Sequence, residues 1–444
     1  MIRTVARAIL VVAAVALLGS ACANSLPQPL VPRQVPPTAA VDPARPCSKP
    51  APVAALASRA APAGLDASYD SAMNTITLDH GEAVTLPALS AALNRPKALR
   101  EVAPGEWLLG ANIQVLAGAS LRISAPDVHW LKLASDPSGF VAVRALGGGL
   151  DISGSCVTSW NVAQNRADTD NTDGRSFLLA RDGSQMTIDH AELRFLGYGE
   201  VESYGLSWRT PGTGGRITDS VVSNLYYGLY TFEISGLVVQ NNEFYNNQLY
   251  AIDPHTNSHD LLIEGNTVHD NGKHGIILAQ DCTDSVIRNN VVYNNADHGI
   301  VLYLNSDRNT VEGNESFGNA DQGININESS KNTVRDNRVY DNHGSGVGVS
   351  LGDNNTLEQN QVRSNQQDGI RLVTDAAHTT VSDNVIGGNV RYGLYVDSDG
   401  GFALSKNTIV ENRTGILLKG TAAGPTKDNS VYANRDDDIK DAPE

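Results

Sequence analysis

From about Gly205 onwards the chain repeats itself every 22 to 24 residues. One column of asparagines runs through Asn242, Asn266, Asn290, Asn314, Asn337, Asn360, Asn384 and Asn407. A second runs in phase with it through Asn247, Asn271, Asn295, Asn319, Asn342, Asn365, Asn389, Asn412 and Asn434. A third consists of Gly228, Gly275, Gly299, Gly323, Gly346, Gly369, Gly393 and Gly415, with Ala251 standing in once. Each period contains a short alternating strand such as Gly275-Ile276-Ile277-Leu278, a polar turn, a second strand such as Ser285-Val286-Ile287-Arg288, then Asn and a third short strand. Strands this short do not make a propeller blade, and no segment has the helical periodicity of a helix-based solenoid. The expected fold is therefore all-β: a single right-handed, single-stranded parallel β-helix. Asparagine suits its turns because it tolerates left-handed backbone angles and because its amide can bond the same amide one rung away. The asparagine columns are thus read as structural.

The regular repeats span residues 201–435, preceded by irregular N-terminal coils over 71–200, where Ala111-Asn112-Ile113-Gln114-Val115 and Ser120-Leu121-Arg122-Ile123 alternate in the same way. An acidic tail, 436–444, follows, and Arg435-Asp436-Asp437-Asp438 suits a polar end cap. Residues 1–23 read as an export signal: Arg3 and Arg7 precede an apolar run, Ala8 to Leu18, too short to span a bilayer comfortably. Gly19-Ser20-Ala21-Cys22 resembles a lipoprotein processing site, which makes Cys22 a candidate lipid anchor, while Ala21-Cys22-Ala23 also fits ordinary cleavage. Residues 24–70 form a Pro/Ala-rich linker that cannot bury a core. The expected location is extracytoplasmic, as a secreted protein or a membrane-anchored lipoprotein. Leaving Cys22 aside, Cys47, Cys156 and Cys282 are an odd number, which in an oxidising compartment leaves at least one unpaired or paired between chains. Against 49 Asp plus Glu there are 33 Lys plus Arg, a formal net charge of −16. That balance speaks against a general nucleic-acid binder and obliges any polyanionic ligand to find local positive charge.

The repeat fixes what stands side by side, because consecutive rungs of such a coil are about 4.8 Å apart. In the strand that starts at each ladder glycine, the second residue is apolar and inward (Leu206, Leu229, Ile252, Ile276, Ile300, Ile324), so the third and fifth face outward. The fifth-position column reads Arg209, Phe232, His255, Ala279, Tyr303, Asn327, and the third-position column Ser207, Tyr230, Asp253, Ile277, Val301, Asn325. The column before the glycine reads Tyr204, Tyr227, Tyr250, His274, His298, Gln322. Aromatics, imidazoles, a carboxylate and a guanidinium thus converge on one face. Aromatic columns give sugar rings flat partners, and the imidazoles and phenols can move protons. Asp253-Pro254-His255 stands out within it, since proline removes a ladder donor and implies a local distortion. A carboxylate beside an imidazole can hold its tautomer, and Tyr250 begins the same rung.

At these residues the sequence resembles the mannuronan C5-epimerases, β-helical enzymes that convert mannuronate to guluronate within alginate. The likeness lies in Tyr250-Ala251-Ile252-Asp253-Pro254-His255-Thr256-Asn257-Ser258-His259, Lys273-His274-Gly275-Ile276-Ile277 and Gln280-Asp281-Cys282. Leu196-Gly197-Tyr198 and Tyr204-Gly205-Leu206-Ser207-Trp208-Arg209 add to it upstream. The resemblance implies that His255 is the base removing the C5 proton, that Asp253 orients it or accommodates the substrate carboxylate, and that Tyr250 is the candidate acid. The periplasmic branch of that family carries an arginine one rung after the histidine, and often another on the next rung; this chain has Gln280 and Leu304 there. Arg209 and Lys273 are the cations that stand in, with Gln280 as a neutral donor and Tyr227, His274 and Tyr303 lining the groove. The expected partner is an acidic polysaccharide. No cofactor is expected, and calcium is a candidate bridge between it and an acidic protein. Two other readings share the fold: a polysaccharide lyase, which abstracts the same proton, and a non-catalytic glycan-binding β-helix.

Overall fold

The computed structural model describes residues 31–48, 64–419 and 428–442. Over them the chain winds as a right-handed parallel β-solenoid with three ribbons of strands. One coil shows the plan. Ile252–His255 lies in the first sheet, Leu262–Glu264 in the second and Thr267–His269 in the third, and each pairs in parallel with its equivalent one rung on. The inward column Leu229, Ile252, Ile276, Ile300 and Ile324 is fully buried, and with its counterparts from the other two sheets it forms one continuous apolar core.

The asparagine columns bond as the repeat implies. Asn266 Nδ2 donates to Asn290 Oδ1 at 2.9 Å, and Asn290 Nδ2 donates to Asn314 Oδ1 at 3.0 Å and to Ile263 O at 3.0 Å. Asn290 Oδ1 also accepts the Asn266 backbone N–H at 2.9 Å. The left-handed backbone, however, belongs to the residue before each ladder Asn: Asn241, Gly265, Asn289, Gly313 and Asp336 have φ of 58°, 67°, 56°, 63° and 57°. The turn therefore divides its tasks. One residue of variable identity supplies the backbone bend, and the asparagine supplies the buried amide.

The ends differ from the expected boundaries. Within 24–70, read as a linker, Asp66–Asp70 is a strand antiparallel to Thr75–Thr85. A helix, Leu86–Leu93, then closes the first coil, begun by Thr85 whose Oγ1 accepts from Ala88 N–H, with proline in its first turn and Leu86 and Leu89 buried. Residues 32–48, from the same supposed linker, lie against the third sheet: Arg33 pairs with Glu315 at 2.8 Å, Thr38 Oγ1 meets His269 Nδ1 at 3.2 Å, and Pro43 O accepts from Ala167 N–H. Cys47 is disulfide-bonded to Cys156, and Cys282 is a buried free thiol. A tether of low hydrophobicity is thus held by polar contacts and one covalent bond rather than by a core of its own. Within 436–444, read as an acidic tail, Asp437–Ala442 is a further first-sheet strand paired with Thr414–Lys419. Its backbone satisfies the ladder whatever its side chains carry. The export signal and Cys22 lie outside the described residues. Among the described residues no helix is long and apolar enough to cross a membrane.

Candidate active site

The first sheet brings the columns together in the expected register: Arg209 pairs with Phe232, Phe232 with His255, His255 with Ala279, and Ala279 with Tyr303. Around Pro254 the ladder opens on one side only. Ile252 pairs with Ile276 and His255 with Ala279, while Asp253 and Pro254 pair only with the preceding rung. The column before the glycines stacks as a run of rings, Tyr204 to Tyr227 at 4.7 Å, Tyr227 to Tyr250 at 5.5 Å, Tyr250 to His274 at 5.1 Å and His274 to His298 at 5.1 Å between centroids. Its first member is set from upstream. The buried Arg175 guanidinium donates to Leu196 O and Gly197 O, pinning that loop against the Tyr204 rung. Gly197 has φ 83°, and a Cβ there would meet Tyr204 C and Gly205 N at 2.3 Å, so no other residue allows the approach.

His255 is half-buried and stacks on Tyr230 at 5.6 Å. Its Nδ1 lies 2.7 Å from Thr256 Oγ1, which donates to Gln280 Oε1 at 3.4 Å. The tautomer with the proton on Nδ1 lets Thr256 accept from His255 while donating to Gln280, and it leaves the Nε2 lone pair open. Burial first, then the Arg209 charge, hold the imidazole below the ordinary histidine range. It is therefore neutral near neutral pH.

Asp253 was expected to face outward and to hold the imidazole. It is 1% exposed, and both carboxylate oxygens lack a hydrogen-bond partner; Thr256 occupies the position beside His255. Burial raises this carboxyl well above the ordinary carboxylate range. Arg209 is 6% exposed, and its Nε and Nη2 are likewise buried without partners. Rings surround the guanidinium: Tyr230 at 4.6 Å, Tyr204 at 5.4 Å and Phe232 at 5.6 Å. Two unsatisfied buried groups of complementary chemistry on one face are costly to the fold, and such costs are typical of sites prepared for a ligand.

Lys273 is exposed at the rim and its Nζ donates to Tyr250 Oη at 3.3 Å. Tyr227 and Tyr230 are both phenols that burial pushes upward, so they stay protonated as donors. Tyr230 belonged to the third-position column but not to the expected site residues; its place between Arg209 and His255 is set by ring packing, which a column of letters does not display. Tyr303 is 38% exposed, farther along the groove. His274 is drawn down to about 4 by burial, against the pull of Asp297. With Asp297 and His298 it forms a group whose potential ligand atoms lie within 4.8 Å of one another. Both imidazoles already accept backbone N–H groups at Nδ1, His274 from His298 at 3.3 Å and His298 from Gln322 at 3.1 Å. Calcium prefers oxygen ligands, so this nitrogen-rich set suits it poorly.

The site is thus a face of one sheet of a parallel β-helix, where a column of half-buried rings adjoins buried ionisable groups without partners. The chain belongs to the right-handed β-helix family, matched over residues 148–316 and 301–436. It is 32% identical over 178 residues to the mannuronan C5-epimerase of Pseudomonas aeruginosa, a match covering 37% of this chain and 32% of that protein. It is 32% identical over 175 residues to the mannuronan C5-epimerase AlgG of Azotobacter vinelandii, covering 36% and 33%. The chain thus spans about a third of the length of these curated relatives. Among solved structures, the periplasmic alginate epimerase AlgG matches with a TM-score of 0.66 at 25% identity, over 83% of this chain and 85% of that one.

Proposed function

We propose that this protein is a polysaccharide C5-epimerase, acting on mannuronate residues of an alginate-like polymer outside the cytoplasm. The observation that carries the reading is half-buried His255 in one column with Arg209 and two residues from Asp253 on its own strand, both of which hold buried polar atoms without partners. His255 Nε2 takes the C5 proton. The charge that then builds on the substrate carboxylate needs donors already in place. Arg209, two rungs or about 10 Å before His255, brings two unused guanidinium donors. Asp253, kept protonated by burial, adds a neutral acid that can donate to a carboxylate, as carboxyl groups in apolar sites do. Tyr250, whose hydroxyl accepts a hydrogen bond from the Lys273 ammonium, is the acid in this reading and returns a proton to C5. Gln280 acts through Thr256, whose hydroxyl donates to its Oε1, to hold the His255 tautomer. The Cys47–Cys156 disulfide accords with an oxidising compartment, as does similarity to a periplasmic alginate epimerase.

The test is NMR of the purified protein with polymannuronate in heavy water. Deuterium at C5 with inverted sugars and intact chains supports epimerisation. Chain cleavage with ultraviolet-absorbing unsaturated ends makes it a lyase, and binding without exchange makes it a glycan-binding solenoid.

A further inference from the structure

The outward face continues past Tyr303. The third-position column runs on from Ile277 through Val301, Asn325, Gly348 and Arg371 to Tyr395, each paired in parallel with the next. The neighbouring fifth-position column passes Asn327 and Ser350. Beyond the reaction rungs these two columns form an apolar floor, where Ile277, Ala279 and Val301 cluster with Tyr250, followed by an uncharged stretch of amides and small residues. Asp297 and Asp321 lie beside them, at the turns.

Positive charge returns at the far end. Asp368, 0% exposed, accepts from Arg371 Nη1 at 3.0 Å, and its other oxygen, without a hydrogen-bond partner, lies 3.6 Å from Arg391 Nε. The two guanidinium groups lie over rings, Arg371 over Tyr395 at 4.4 Å and Arg391 over Tyr392 at 5.3 Å, and these rings are 5.4 Å apart. Lys419 Nζ is 3.5 Å from Asp397, which also accepts from the Tyr395 hydroxyl at 2.8 Å. The arginine side chains stay 29% and 44% exposed, so each keeps donors facing solvent. Three cations thus meet two carboxylates here, one of them buried and turned to the arginines. In a chain of net charge −16 this is a partly exposed cationic excess over two tilted rings.

We propose that Arg371, Arg391 and Lys419, floored by Tyr395, form a distal subsite that grips a carboxylate of an acidic polysaccharide already engaged at His255; this rests on the polyuronate reading of that site. Arg371 stands five rungs after Asp253, roughly 24 Å along the axis. The chemistry fits a uronate, since planar guanidinium forks match carboxylates and a tyrosine face packs against a sugar ring. A chain long enough to reach both sites gains affinity that a short one cannot.

The experiment compares wild type with the Arg371→Gln, Arg391→Gln double variant, using long polymannuronate and tetramannuronate. The expected result is that the preference for long over short chains, read as the ratio of their kcat/KM values, falls about tenfold, through KM for the polymer. The Arg371→Lys, Arg391→Lys variant should recover part of it. Unaltered chain-length preference in the Gln variant overturns the proposal. Anisotropy of fluorescein-labelled polymannuronate reads affinity without catalysis: weaker binding by the Gln variant supports the subsite, and equal binding overturns it. If wild type exchanges no C5 hydrogen at any chain length, the epimerase reading falls while the affinity comparison still decides the subsite. If stranding Asp368 unfolds the double variant, adding Asp368→Asn removes the orphaned charge and the same readings apply.

Discussion

Two columns of rings run along this solenoid. On the third sheet, Tyr245, His269, Tyr293, Phe317 and Tyr340 stack within 8° of parallel at 4.7 to 5.3 Å. Residues 32–48 lie over part of this column, and all five rings are at most 9% exposed. His269 is held by Glu243 and Asp270, Tyr340 donates to Glu315, and Tyr245 accepts from Arg194. On the first sheet, Tyr204, Tyr227 and Tyr250 tilt by 43° and 47°, stay only half-buried and adjoin the unpartnered Asp253 and Arg209. The same column of rings thus stands in two settings. Covered and satisfied, it stabilises neighbouring rungs; half-buried and bordered by orphaned polar groups, it is the face proposed here to bind the polymer.

The largest expected break in that comparison is His255→Ala. It should lower turnover by about 10² to 10⁴ while leaving the melting temperature nearly unchanged, because the general base is lost without opening a core cavity. Loss of turnover from His269→Ala, with His255→Ala active, would reverse the roles of the two columns.

Arg209→Gln should lower the chemical rate by about 10² with little change in polymer affinity, the scale of losing one preorganised donor to a developing oxyanion. An alternative expectation, that Arg209 pairs with an acid such as Glu233, predicts lost stability instead. The rings and unpartnered nitrogens around it favour the first outcome, and rate, affinity and melting temperature measured on one sample decide between them.

On the covered column, His269→Ala should cost about 2 to 3 kcal/mol of stability, from the ring packing lost between Tyr245 and Tyr293, with normal turnover in the folded fraction. Glu243 and Asp270 raise the His269 pKa despite burial. Its stabilisation is thus fully present below the unfolded value, about 6.5, and fades as pH rises through the higher folded value. Denaturant midpoints should show wild type losing part of its advantage over His269→Ala across that window.

The smallest effect concerns Asp253. With its carboxyl raised by burial, the folded state holds a proton that the unfolded state releases, so wild type loses stability as pH climbs from about 3.9 towards the raised value. Asp253→Asn should abolish that slope and melt slightly higher than wild type near neutral pH, while exchanging C5 hydrogen more slowly. A lower melting temperature at neutral pH would show the carboxylate to be satisfied in the fold.

The period by itself determined the fold class, the register of the first sheet and the bonded asparagine columns. In a solenoid, residues one period apart are neighbours, so long-range structure reduces to a local rule. The same rule set Arg209, Phe232, His255 and Tyr303 in one column. It also stacked Tyr250 on His274. It did not assign the left-handed turn residue, because that position accepts Asn, Gly, Asp, Gln or Lys alike. Only the tertiary structure decided that Asp253 turns into a buried, unpartnered place, that Thr256 and Gln280 rather than a carboxylate hold His255, and that Arg371 and Arg391 share Asp368. Each depends on side-chain direction and solvent exclusion, which periodicity leaves free. It alone placed residues 32–48 on the third sheet, with Arg33 N–H donating to Tyr340 across 307 positions and Cys47 joined to Cys156. Those contacts join an aperiodic segment to the repeat, and no spacing in the sequence encodes where such a segment comes to rest.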